Sequence, residues 1–117
     1  MASPISAGAL PVPARRGELR IADRVFNQIA ARAVQRELAG RWAGRSGPGA
    51  PPRVSVRILH GTAELTLHLE LPFPADLAAL ARAAREAAAA QVSGLTGTPV
   101  GEVTVLVERL LPAGGGR

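Results

Sequence analysis

Leu65, Leu67, Leu69 and Leu71 alternate with Glu64, Thr66, His68 and Glu70. In a β-strand that pattern sends every leucine to one side and every polar residue to the other. Just upstream, Val54, Val56 and Ile58 alternate with Ser55 and Arg57 in the same way. Only a few residues separate the two runs, so they read as an antiparallel hairpin with one buried and one wet face. A two-residue turn at His60-Gly61 pairs Leu59 with Thr62, Val56 with Leu65 and Arg57 with Glu64. That register sets apolar against apolar and cation against anion. A sheet with one wholly apolar face needs a second layer to cover it.

Two stretches supply that layer. In Gly17–Leu38, Phe26, Ala30, Ala33, Val34 and Leu38, with Val25 and Ile29, recur at three- and four-residue spacing, as one broad helical stripe. Asp23 stands at the expected helix start, where a carboxylate suits free N–H groups and the positive end of the helix dipole. Arg24, Arg32 and Arg36, at multiples of four, rise along a different face. Later, Asp76 is placed to cap a second helix with Leu77, Leu80, Ala81, Ala84, Ala88 and Val92 on its apolar side. Alanine-rich sequence favours that helix and lets it pack closely.

Further strands flank these elements. Gly17-Glu18-Leu19-Arg20-Ile21 alternates briefly and predicts a short opening strand. Val103, Val105 and Val107 predict a closing strand over 102–108, facing inward, after a helix break in Gly94–Pro99. Pro72-Phe73-Pro74 is expected to end the leucine strand. The order is β-α-β-β-α-β, an α+β two-layer sandwich of the split βαβ kind, its mixed or antiparallel sheet covered on one face by two helices. A sheet of three solid strands with a ragged fourth is the nearest alternative.

The expected domain spans 17–111. Residues 1–16, broken by Pro4, Pro11 and Pro13, read as a disordered leader, and 112–117 as a flexible tail. At 117 residues the chain suits one small domain, with 47% apolar residues but only three aromatics to build its core. Gly40–Pro52 holds four glycines and three prolines and predicts a loop. It carries Trp42 between Arg41 and Arg45, either an interface anchor or a cover over the end of the first helix.

All fourteen cationic side chains are arginine. Residues 1–57 carry ten of them against three acids, and 58–117 carry four against six. Such asymmetry marks either ordinary solvated faces or a surface for phosphate, lipid head groups or acidic protein. The absence of cysteine excludes disulfide and thiol chemistry. His60 and His68, in a turn and on a wet strand face, make a poor metal site. Without a serine or threonine beside a base, a paired acid couple or a glycine-rich phosphate loop, the chain reads as non-enzymatic, with no catalytic, cofactor or metal residues. Nucleic acid is the rival ligand. The open sheet face is expected to carry Arg20, Ser55, Arg57, Thr66, His68, Glu70, Thr104 and Glu108, without the aromatics that stack bases. Gly44-Arg45-Ser46-Gly47 has the GxxG spacing of a backbone clamp, but leads into prolines and a strand rather than a helix.

Gly17-x-Leu19-x-Ile21-Ala22-Asp23-x-Val25 with Ile29-Ala30, Ala33 and Glu37, and Thr96-Gly97-x-x-Val100-x-Glu102-Val103-x-Val105-x-Val107, resemble the opening and closing patterns of the alkaline shock protein family. These are the Gls-type general stress proteins of Gram-positive bacteria. The resemblance covers about residues 17–110 and consists of packing patterns. It implies a non-enzymatic cytoplasmic protein of the envelope stress response that assembles with itself or with paralogues. It also implies attachment at the membrane through a small membrane-anchored relative. Three features depart from the family. The Gly40–Pro52 loop is longer and more basic, Leu71-Pro72-Phe73-Pro74 stands where a glycine turn is usual, and the net charge is +5. The last adds an anionic membrane surface as a candidate partner.

The functional expectation is a structural or adaptor protein that works through protein–protein contacts. Its candidate surface is Arg24, Arg32, Arg36, Arg41, Trp42 and Arg45. A basic nucleic-acid-binding module using the same arginines is the alternative.

Overall fold

The computed structural model describes residues 19–41 and 50–112. Five elements follow one another: α1 (Asp23–Arg41), β1 (Arg53–Leu59), β2 (Thr62–Phe73), α2 (Leu77–Thr96) and β3 (Val100–Pro112). The sheet order is β1-β2-β3, with β1 antiparallel and β3 parallel to the central β2. Both helices pack on one face, so the α+β sandwich with a mixed sheet holds.

The hairpin has the expected register, with Leu59 opposite Thr62, Arg57 opposite Glu64 and Val56 opposite Leu65. His60 and Gly61 both adopt positive φ, 52° and 76°, as a type I′ turn requires. Leu65, Leu67, Leu69 and Leu71 are fully buried against Phe26, Ala30, Val34 and Leu38 of α1 and Leu80, Ala84, Ala88 and Val92 of α2. Burying one such leucine is worth about 1.5–3 kcal/mol, so β2 is the stabilising axis of the domain.

The opening strand expected at 17–21 is not found where the chain is described. Leu19–Ala22 have no strand structure, and Leu19 is 78% exposed. Ile21 instead packs against the core, and the Val25 N–H donates to the Ala22 carbonyl at 2.9 Å, so this stretch winds directly into α1. Arg20 therefore does not lie on the sheet. Gly17, Glu18 and the expected leader fall outside the described residues. Nor is the βαβ unit split, because β2 and β3 are direct neighbours.

Asp76 caps α2 as expected, its Oδ1 accepting from the Ala79 N–H at 3.0 Å. The helix passes through Gly94 and stops at Gly97, which takes the left-handed conformation (φ 75°) and donates to the Ser93 carbonyl. A glycine inside a helix only weakens it; one that adopts positive φ ends it.

β2 ends at Phe73, within the expected Pro72-Phe73-Pro74 stop; Pro72 itself fits in the strand because pairing with β1 ends at His68 and the missing N–H meets no β1 strand. β3 runs on through Pro112, where the tail was expected to begin; 113–117 lie outside the described residues. Val103 and Val105 pack against the core, but Val107 is 41% exposed at its margin. The pairing slips just beyond, where Leu69 faces Val107 and Glu70 faces Arg109, leaving Glu108 as an extra residue in a bulge.

No helix among the described residues is long and apolar enough to cross a membrane.

Candidate functional site

Burying one stripe of α1 leaves Arg24, Arg32, Arg36 and Arg41 exposed. The four do not form one surface. Arg32 and Arg36 line an open groove between the outer sides of the two helices, with Gln28 and Ile29 of α1 and Gln91 and Leu95 of α2. The groove continues past Arg36 to Ala33, Glu37, Ala87 and Ala90. The helices run antiparallel there, since the start of α1 faces the end of α2. Alanines on both walls keep the helices close and the groove shallow, and Leu95 stands 68% exposed at one end. Among the described residues, neither Arg32 nor Arg36 forms an ion pair.

Arg24 lies in the first turn, outside that groove. Arg41 is tied to Glu37, Nη2 to Oε2 at 2.9 Å, in the i,i+4 orientation that suits the negative end of the helix. Trp42 and Arg45 lie outside the described residues. Of the expected surface, Arg32 and Arg36 are thus the pair the fold brings together. The α2 side, Gln91 and Leu95, was missed; a leucine off the apolar stripe near the helix end was its only sequence signal.

The open face of the sheet holds a second polar cluster. Arg53 Nη2 donates to both oxygens of Glu108, at 2.7 and 3.0 Å, and His68 Nδ1 lies 3.0 Å from Glu108 Oε2. A carboxylate only accepts, so the His68 proton sits on Nδ1. Hydrogen bonds from Arg53 first and His68 second hold the Glu108 carboxyl below its usual range, against a smaller desolvation effect. Arg57–Glu64 at 3.7 Å and Arg109–Glu70 at 4.0 Å complete a lattice of neighbouring opposite charges. Such exposed pairs add less than about 1 kcal/mol each. Most of the charges on this face are paired with one another, Glu102 being the exception among the described residues, and it offers bases no aromatic to stack on, unlike an RNA-binding sheet. Among the described residues, no three histidine, aspartate or glutamate side chains gather as a metal-ligand set.

Compared with known proteins, the chain matches no protein-family model, no curated protein and no solved structure.

Proposed function

We propose that this chain is a structural or adaptor protein without catalytic activity, and that the groove between α1 and α2 receives an acidic segment of a protein partner. The observation that carries the reading is the pair Arg32 and Arg36, exposed on one groove and without a carboxylate partner among the described residues. Arginine's fixed fork of donors suits carboxylates. The small side chains of Ala33, Ala87 and Ala90 and the exposed Leu95 suit apolar residues beside them, and Glu37, which lines the same stretch, is already paired with Arg41. The resemblance of the Gly17–Val25 and Thr96–Val107 patterns to the alkaline shock proteins supports a role in the envelope stress response. In that role the protein is cytoplasmic and reaches the membrane through a paralogue or a small membrane-anchored relative.

The test is affinity capture of the tagged chain from its own host, with mass spectrometry and a nucleic-acid assay on the eluate. Recovery of a defined protein partner without nucleic acid supports the adaptor. The same free arginines and the +5 net charge would also serve a basic nucleic-acid-binding module. Co-purifying RNA or DNA whose binding falls steeply with salt and with loss of Arg32 and Arg36 would replace the adaptor with that module.

A further inference from the structure

The two edges of the sheet are unequal. The β1 edge is seven residues long and carries Arg53 and Arg57, the kind of charge that keeps an edge from pairing with another chain. The β3 edge is thirteen residues long, and among the described residues no strand pairs with its outer side. Its central run, Val103-Thr104-Val105-Leu106-Val107, is uncharged and rich in β-branched residues. Leu106, Val107 and Leu110 are 45, 41 and 47% exposed along it. Glu102 on one side and Glu108 and Arg109 on the other confine the charge and the bulge to the ends of this run, and an edge with an uncharged centre of this kind is a template for another strand.

We infer that β3 pairs with β3 of a second copy of this chain, antiparallel about a two-fold axis at Leu106, joining two three-stranded sheets into one of six. The run 104–108 is self-complementary in that register; beyond it the Glu108 bulge carries Arg109 to the open side opposite core-facing Val103, so the ladder ends there. Residues directly opposite in an antiparallel pair share a face. With the axis at Leu106, Val105 meets the partner copy's Val107 on the helix-covered side. On the open side Leu106 meets its own counterpart, and Thr104 stands opposite Glu108, whose carboxylate stays turned toward Arg53 and His68. Glu102, which has no ion pair among the described residues, comes beside Arg109, whose nearest carboxylate, Glu70, is a distant 4.0 Å away. Moving the axis to Val105 would instead set Glu102 against Glu108, like charges directly opposed, which disfavours that register. A two-fold axis closes the pair, so growth ends at a dimer. None of the groove residues lies on β3, so the inference stands apart from the adaptor reading.

The chain has no cysteine, so Leu106→Cys places its sole thiol on the proposed axis. Opposed Cα atoms of an antiparallel pair lie about 4.5–5.5 Å apart, within disulfide range. Mild oxidation of the full-length Leu106→Cys protein should give a covalent dimer, while Ser55→Cys, on the β1 edge, stays monomeric at the same concentration. Sedimentation of the unaltered chain should shift from one to two copies as concentration rises, and Leu106→Lys should abolish that shift with an unchanged circular dichroism spectrum. A chain monomeric throughout, a dimer that survives Leu106→Lys, or equal cross-linking of the two cysteine variants would each overturn the inference.

Discussion

Glu108 on β3 reaches across the central strand to Arg53 on β1, closing to 2.7 Å. The bulge makes this contact: Glu108 is the residue without a partner on β2, and His68 holds it from below. One carboxylate therefore ties together all three strands on the solvent side of the sheet.

Because hydrogen bonds hold its pKa below the usual carboxylate value of 4.5, Glu108 contributes stability at pH above that of the unfolded carboxyl. That contribution is lost as pH falls through the depressed folded value. Glu108→Gln should therefore lower the melting temperature slightly at neutral pH and leave a shallower decline on acidification than in the parent. Thermal melts of the two proteins between pH 7 and pH 3 check this; parallel curves would remove the role.

Gly94→Ala and Gly97→Ala should move stability in opposite directions. Gly94 is helical with nothing within 4 Å of an added methyl, so alanine should stabilise by about 0.5–1 kcal/mol. Gly97, at φ 75°, should lose about 1 kcal/mol as alanine. Urea denaturation of both variants reads the contrast.

The same pair of glycines shows where sequence reasoning ran short. A helix break in Gly94–Pro99 was expected, but composition alone did not say which glycine would take positive φ. The hairpin was fully legible, because alternation and a two-residue turn leave one register that buries every leucine. The fourth strand was expected from Leu19 and Ile21, yet two alternating residues beside a strong helix start were absorbed by the approach to α1. The Glu108 bulge had no local signal. A parallel pairing reached through a twenty-residue helix sets its register by packing rather than by a turn.

Leu67→Ala should cost about 2–5 kcal/mol, since the side chain is fully buried in the core beneath the helices and the structure around the cavity relaxes only in part. Leu95→Ala, on the exposed rim of the groove, should change stability by less than about 0.5 kcal/mol. Denaturant midpoints separate the two. A large loss at Leu95 would place it in the core and remove it from the docking surface.

Asp76→Ala should destabilise by about 1 kcal/mol through loss of the cap on Ala79, and Asp76→Asn should restore most of it. Equal losses in the two variants, by thermal melting, would show that charge rather than capping matters there.

The adaptor reading is tested most directly by repeating the host capture with Arg32→Ala/Arg36→Ala beside the parent chain. Both side chains are exposed and make no ion pair among the described residues, so the double variant should melt within a degree or two of the parent. The prediction is a folded protein that no longer recovers the parent's partner. A double variant that recovers the same partner in the same amount would contradict the groove as the docking site.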